Sequence, residues 1–354
     1  MPARKSEPSE GLRNRLKNLF RWANVLLIVL TLLIYAVPFT PASFWPLSLI
    51  APFYPLALLL NILFALWWIL WRKKYAWLSL LCILLGWNYL QSYFGFHFLA
   101  RPSTTDLQVM TFNFHDLKDL PFRKGHVGHD LTGLLNFLDE IGKPQVLCLQ
   151  EIHQGPAAEL AEAIGYQHLH YPEKGTAILS ALPFQASGYI AFPHSGNSAL
   201  WADIKWKGQT LRIFNLHLQS NRISTQTEEL SNQREFDEKV FRQIRSILRN
   251  YKRAAQQRIQ QVEIIREKME KTAQPYIVCG DFNDTPLSHT YHQLSEGLLD
   301  AFRQKGAGPG TTYARFPPAL RIDYILHTPD LQVSACKIHR QKFSDHYPVS
   351  AHFK

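Results

Sequence analysis

The chain has 354 residues, enough for one large domain with something added, and its four cysteines sit in apolar runs rather than in a disulfide framework. A net charge of +10 invites a nucleic-acid partner, but the excess is uneven. Residues 1–100 carry nine Lys or Arg and two Glu, so +7 of it lies beside apolar segments, and global charge gives little support to such a partner.

Three apolar stretches, Trp22–Val37, Leu47–Trp71 and Tyr75–Phe98, contain no Asp, Glu, Lys or Arg, and each approaches the ~20 residues that cross a bilayer. The first continues through Pro38 without a small-residue cleavage site, which argues against a cleaved signal peptide. The sequence thus predicts a basic tail over 1–21 and a transmembrane anchor of about three helices over 22–100, in contact with the bilayer through residues 22–98. Basic residues precede the first stretch, and Arg72, Lys73 and Lys74 separate the second from the third, whereas the loop from Pro38 to Pro46 has none. Positive charge stays in the cytoplasm, so the N-terminus is expected there. An odd number of crossings then carries the rest of an integral plasma- or inner-membrane protein to the extracytoplasmic side.

Beyond Arg101 the composition is that of a soluble domain, 101–354. Short runs rich in Val, Ile and Phe predict strands at Gln108–Asn113, Val146–Gln150, Thr176–Leu179, Leu200–Lys205, Thr210–His217, Tyr276–Cys279, Arg321–Leu326 and Leu331–His339. Helices are predicted at Leu131–Ile141 and Ala157–Ile164. This mixture implies an α/β or α+β domain with a layered sheet core. A helical insertion over 225–271 stands apart. Lys239–Arg258 holds seven basic residues and no acid, with Phe241, Ile244, Ile247, Leu248 and Tyr251 at near-helical spacing. Such a helix either packs on the domain with a solvated face or meets anionic headgroups or a polyanionic substrate.

Polar side chains recur where apolar strands end: Asn113, Gln150-Glu151, Asn215-Leu216-His217, Asp281-Phe282-Asn283-Asp284, Asp323 and Ser344-Asp345-His346. One such residue is an ordinary turn former, but six sets in one domain call for a common site. Oxygen ligands from Glu, Asp and Asn suit Mg²⁺ or Mn²⁺ better than zinc, and histidines beside carboxylates suit acid–base work or charge stabilisation on a phosphate.

At these residues the chain resembles the endonuclease/exonuclease/phosphatase superfamily, which has the deoxyribonuclease-I-like fold. The matching segments are TFN (Thr111–Asn113), LQE (Leu149–Glu151), GTAILS (Gly175–Ser180), NLHL (Asn215–Leu218), GDFN (Gly280–Asn283), RIDYIL (Arg321–Leu326) and SDH (Ser344–His346), in the family's order. The resemblance implies a four-layered α/β sandwich, two packed mixed sheets flanked by helices, with a site at one edge of the sheets. It further implies Glu151 as main metal ligand with Asn113 and Asp345 nearby, and Asp281 orienting or deprotonating water. Asn283 would hold a phosphate oxygen, and His346, oriented by Asp323, would contact the phosphate. His217 would stabilise developing charge. The choice between Asp281 and His346 as general base stays open at this level. One departure is His115, where relatives that cleave abasic DNA have an acid.

The implied reaction is metal-dependent hydrolysis of a phosphoester. Substrate choice lies in loops, and three substrates compete: a lipid headgroup phosphodiester, slightly favoured by the anchor and the basic helix, DNA or RNA met outside the cytoplasm, and a small molecule such as an inositol phosphate. A catalytically inactive membrane scaffold is the reading of another class.

Overall fold

A computed structural model of the chain describes residues 10–40, 44–71, 74–121, 129–172, 175–221, 238–315 and 320–354. Arg4, Lys5, Arg72, Lys73 and the 225–237 part of the expected helical insertion lie outside the described residues.

The apolar N-terminal region begins with α1 (Glu10–Ala36), which runs into a 3-10 turn at Val37–Phe39. A short α2 (Trp45–Ser48) leads to α3 (Tyr54–Leu70). Two segments, Asn14–Phe39 and Trp45–Leu70, are long and apolar enough to span a membrane, not the three expected. The third stretch is broken into α4 (Ala76–Leu85), α5 (Trp87–Tyr93) and a strand β1 (Phe94–Phe96). The break falls at Gly86, whose missing side chain lets Tyr35 come so close that a Cβ would stand 1.9 Å from its hydroxyl oxygen.

These helices bury a few bonded polar side chains among apolar ones and are apolar outside. Asn24 of α1 donates to Ser79 Oγ of α4 at 2.7 Å and accepts from Trp68 Nε1 of α3 at 3.1 Å. Asn61 of α3 donates to Thr31 Oγ1 of α1 at 2.9 Å. Meanwhile Leu26, Leu30, Leu59, Leu63, Trp77 and Leu84 face outward. Polar side chains thus bond the helices to one another while leucines lie on the outer surface.

The remaining part of the chain contains β2 (Leu107–Asn113), α6 (Thr132–Glu140), β3 (Val146–Gln150), α7 (Gln154–Ile164), β4 (His168–His170), β5 (Thr176–Ser180), β6 (Phe184–Ala191), β7 (Ser198–Trp206) and β8 (Gln209–His217). There follow α8 (Glu238–Glu270), β9 (Tyr276–Asp281), α9 (His289–Ser295), β10 (Leu299–Asp300), α10 (Ala301–Lys305), β11 (Ala307–Pro309), β12 (Asp323–His327), β13 (Val333–Ile338) and β14 (Val349–Phe353). Two six-stranded mixed sheets form, in the orders β13-β14-β2-β3-β5-β4 and β10-β12-β9-β8-β7-β6. Their facing surfaces bury Val109, Val146, Cys148 and Ile178 against Leu200, Ile213, Ile277 and Ile325. On one outer face α6 and α7 cover Met110, Leu147 and Leu149. On the other, Val262, Ile265 and Met269 of α8 and Leu294 of α9 cover Phe214, Val278 and Tyr324. The result is the expected four-layered sandwich. All four cysteines are free and buried, as their apolar neighbours predict.

The apolar region is built onto this sandwich. β1 pairs antiparallel with β11, so the structural junction precedes residue 101. Leu287 packs among Leu27, Ile34, Val37 and Tyr54, and Phe39 meets the ring of His292 edge-on at 4.9 Å. The buried Arg321 donates to Ser92 O at 2.9 Å and to Asp300 at 2.7 Å. The domain therefore sits on the end of the bundle that holds residues 37–40 and 44–53, to which α5 also returns.

Candidate active site

Strand register brings the polar residues together. In β8 and β9, parallel neighbours, His217 pairs with Asp281, and in the antiparallel β9–β12 pair Asp281 lies opposite Asp323. The facing sheet ends β2 and β3 at Asn113 and Gln150, also paired. Gln150 Nε2 and Asn215 Oδ1 join the two sheets at 2.6 Å, and Asn215 Nδ2 donates to Leu149 O and Ala177 O. Asn215 thus clamps the layers at the site's base. Gly280 has φ +133°, and a Cβ there would stand 2.0 Å from Leu216 O, so only glycine lets β9 deliver Asp281 this close to β8. Glu151 and Asn283, just past their strands, hold φ of 49° and 53°. Such left-handed backbone in non-glycine residues is uncommon and clusters at functional sites.

Asn113 spans the gap between the sheets. Its Nδ2 donates to Glu151 Oε1 at 3.1 Å and to Asp281 Oδ2 at 3.0 Å, while its Oδ1 accepts from His115 N at 2.9 Å. Asn283 donates through its backbone N–H to Asp281 Oδ1 at 2.8 Å and through Nδ2 to Asp281 Oδ2 at 3.1 Å. His346 Nδ1 lies 2.9 Å from Asp323 Oδ2, and its Nε2 stands 3.9 Å from Asp281 Oδ2. His217 Nε2 is 3.5 Å from Glu151 Oε1 and 4.0 Å from Asp281 Oδ2, buried and without a hydrogen-bond partner among the described residues.

The electrostatics follow from this crowding. Burial, reinforced by the charge of Asp323, pushes the Asp281 carboxyl up to about 6. For His346 burial acts against the cation, but Asp323 and Asp281 outweigh it and hold the imidazolium up to about 10. Burial likewise opposes the charge on Glu151, yet His217 and Asn113 keep it well below the usual carboxylate range.

The two carboxylates of this cluster, Glu151 and Asp281, are the oxygen donors that a hard divalent cation takes. Glu151, His217 and Asp281 can each offer an atom within 4.8 Å of the others, and the unpartnered His217 nitrogen sits beside an ionised carboxylate. Asp345 is not in that group. It is grouped with His115 and Asp119, its Oδ1 3.7 Å from His115 Nδ1 and its Oδ2 3.5 Å from Arg315 Nε. Of the eight residues singled out from the sequence, seven are linked directly around Asp281 and Asp345 stands beside them.

Comparisons with known proteins identify the family and the fold. The description "Endonuclease/Exonuclease/phosphatase family" matches residues 110–346, more than half of the chain. The chain belongs to this family. A domain of unknown function matches residues 17–93, and no curated protein matches the chain. Among solved structures, the endonuclease/exonuclease/phosphatase of Bacteroides vulgatus is 18% identical at a TM-score of 0.52, covering 71% of this chain and 99% of its own. The mannosyl-6-phosphatase of Bacteroides thetaiotaomicron is 16% identical at 0.51, covering 70% and 99%. A humanized D. rerio TDP2 is 19% identical at 0.52, covering 71% and 100%.

Several residues of this family member's site carry no signal in the sequence. Arg315 donates to Asp119 at 3.0 Å across 196 positions of chain. Thr312 Oγ1 accepts from the backbone N–H of Ile322 and Asp323 at 2.9 and 3.0 Å, fixing the start of β12. Tyr313 backs the His346 ring edge-on at 5.1 Å. All three lie in one irregular loop, and irregular loops have no periodicity to read.

Proposed function

We propose that the chain is a membrane-held, divalent-metal-dependent phosphoesterase that hydrolyses its substrate by in-line attack of water. The observation that carries this reading is the convergence of Glu151, Asp281, His217 and the Asp323–His346 pair on one point at the sheet ends. Glu151 would hold the ion, Mg²⁺ or Mn²⁺, with Asp345 at the outer edge and Asn113 bracing the spacing of the carboxylates. Such an ion, when bound, supplies Lewis-acid polarisation of the phosphoryl oxygens. Asp281 is the better general base, because its carboxyl titrates near 6 whereas His346 is held as a cation to about 10 and has no free nitrogen lone pair at neutral pH. His346, oriented by Asp323, and His217 face the phosphate and offset charge on its oxygens. Asn283 orients Asp281 through its backbone N–H and Nδ2.

This assignment sets the pH profile. Hydrolysis falls as pH drops through about 6, where Asp281 takes up its proton, and falls again towards about 10, where the His346 cation is lost. A rate profile of the purified chain between pH 4.5 and 10.5 checks both limbs. A single rise continuing through pH 9 to 10 contradicts the role given to His346.

Several features support a site held at a membrane outside the cytoplasm. The bundle has bonded polar residues inside and leucines outside. The domain sits at the end opposite Arg15, Lys17, Arg21 and Lys74, where positive charge would be retained. The short α4 and α5 bring the chain back from that basic side to the domain. One neighbour is a phosphatase of a mannosyl-6-phosphate and another is TDP2 crystallised with single strand DNA product, so likeness of fold leaves the substrate open.

A lipid-borne phosphoester is favoured by the face of α8. Phe241 and Leu248 are exposed among Arg242, Arg245, Arg249 and Lys252 on its first turns. Lys252 Nζ lies 5.8 Å from the Trp45 ring, and Tyr251 donates to Ser48 O at 3.0 Å, so this face continues the bundle's end. Apolar side chains among arginines suit headgroups and the acyl boundary. Each basic residue near an anionic surface contributes about 1 kcal/mol. Changing Arg242, Arg245 and Arg249 to Gln should lower the ratio of turnover on vesicle-borne phospholipid to turnover on a soluble ester roughly tenfold or more. An unchanged ratio removes the lipid preference.

A further inference from the structure

The chain leaves the bundle through an aromatic segment that neither the domain core nor the site uses. α5 opens at Trp87, β1 carries Phe94 and Phe96, and the turn that follows has Phe98 and Leu99 at its tip. Trp87 stacks on Phe96 with ring centroids 5.7 Å apart, and Phe94 meets Phe96 at 5.2 Å and Phe98 at 6.4 Å. The row is uncovered: Phe98 is 66% exposed and Leu99 89%.

Its backbone is pinned. Gly95 pairs with Gly308 in the β1–β11 ladder, and the His97 N–H donates to Gly306 O at 3.0 Å. The Ala100 N–H closes the turn on His97 O at 3.2 Å, and a Cβ on Gly95 would stand 2.3 Å from Gly306 O. Phe98 and Leu99 are thus held outward at a turn tip, where Gly, Asn, Asp or Ser is the usual choice in water. Two large apolar residues there call for an apolar neighbour.

The surroundings identify that neighbour. The patch continues the outer surface of the bundle, since Leu84 and Leu85 of α4 are exposed just before Trp87. Phe39, Phe44 and Phe53 are exposed at the same end. At the other end Trp22, Trp67, Trp71 and Trp77 are exposed, with Arg21 over the Trp22 ring at 5.5 Å. Between the two groups α3 has 17 residues, roughly 25 Å at about 1.5 Å each, close to the ~30 Å of a hydrocarbon core. Aromatic side chains gathered at both ends of such a length suit the two interfaces of a bilayer. Arg101, exposed two residues beyond Leu99, is placed for lipid phosphates.

We infer that Trp87, Phe94, Phe96, Phe98 and Leu99 form a second docking surface of the domain, set into the headgroup–acyl boundary of the bilayer that holds the bundle. The inference rests on the membrane reading above and not on the chemistry of the site. α8 reaches the bundle's end at Trp45 and Ser48, whereas β1 reaches it at Trp87, so two separate elements fix the domain on the surface. A domain held at two points cannot rock on the bundle, and its site keeps one height above the lipid phosphates.

The four native cysteines are buried, which leaves an introduced surface thiol as the reactive one. Full-length Phe98→Cys, Leu99→Cys, Leu26→Cys and Ser187→Cys chains, each with an unchanged melting midpoint, are labelled with a polarity-sensitive fluorophore. They are reconstituted in phosphatidylcholine–phosphatidylglycerol vesicles, with and without lipid spin-labelled near the head of its acyl chain. Position 26 reports the outside of the bundle, and position 187 lies exposed on β6, at the sheet edge farthest from β10. Probes at 98 and 99 should emit at shorter wavelength than the probe at 187 and lose fluorescence to the spin-labelled lipid, as at 26. Emission like that at 187 overturns the docking surface. A shift to shorter wavelength without quenching by lipid overturns it as well, and fading of that shift on dilution of the chains among more vesicles names a second copy as the occupant. Quenching at 26 but not at 98 or 99 leaves the membrane reading intact and removes only this surface. Absence of quenching at 26 removes both.

Discussion

Replacing His346 with alanine should lower turnover of a soluble aryl phosphodiester by about 10³-fold, the scale found when a preorganised charge-stabilising group is removed. The ring is buried, bonded to Asp323 through Nδ1, and aimed with Nε2 towards Asp281. Its removal deletes a fixed cation from a site where water cannot easily replace it. Asp323→Asn should have a smaller effect, about 10²-fold, because the imidazole remains but loses the carboxylate that keeps it charged. That variant has a signature a merely structural role would not produce. A folded value of about 10, above about 6.5 in the unfolded chain, means that the pair's stabilisation is complete below about 6.5 and is lost as pH rises through 10. The variant's alkaline limb should therefore move down towards 7, and its deficit in melting temperature should shrink as pH approaches 10. An alkaline limb left in place contradicts the pairing.

The second large effect concerns stability. Arg321→Met should destabilise the folded chain by about 3–5 kcal/mol, the range for breaking a buried ion pair on one side. Arg321 is buried, 2.7 Å from Asp300, and its guanidinium lies 4.6 Å from the Phe302 ring and 4.8 Å from that of Tyr324. Without it the Asp300 carboxylate keeps the Phe302 and Arg303 N–H groups at the start of α10 and the Tyr291 hydroxyl but loses its cation, and Ser92 O loses its donor. Because Ser92 belongs to α5, the damage should reach the joint between the bundle and the domain. Adding Asp300→Asn, which removes the stranded charge and keeps a cap, should restore part of the loss. A thermal or denaturant midpoint shifted by less than the equivalent of about 1 kcal/mol contradicts this account of the joint.

The sandwich was legible because its strands are short, apolar and bounded by polar residues, as at Val146–Gln150 and Tyr276–Asp281. Its site was legible for the same reason: a strand that ends in Asp281 or His217 delivers that side chain to a fixed place. β6 was hidden by its polar outer positions, including Gln185 and Ser187, and β14 by the nearby motif residues. The third apolar stretch misled because hydropathy cannot register Gly86 or the approach of Tyr35, both tertiary facts. Arg258 misled similarly. Counted along α8 it adds to a basic face, yet only the fold shows it turned inward onto Asp284 and Gln219. The loop carrying Thr312, Tyr313 and Arg315 has no periodic pattern, so its proximity to His346 emerges only in three dimensions.

The central claim is a metal-dependent phosphoesterase built around Glu151, and hydrolysis of bis(p-nitrophenyl) phosphate by the detergent-purified full chain tests it most directly. The assay compares EDTA-treated protein, the same protein with Mg²⁺ or Mn²⁺ restored, and Glu151→Gln under identical conditions. The account predicts negligible turnover after EDTA, recovery on adding either ion, and no recovery in the variant at any practical metal concentration. Turnover that survives EDTA, or a Glu151→Gln chain that matches the wild type, would contradict it.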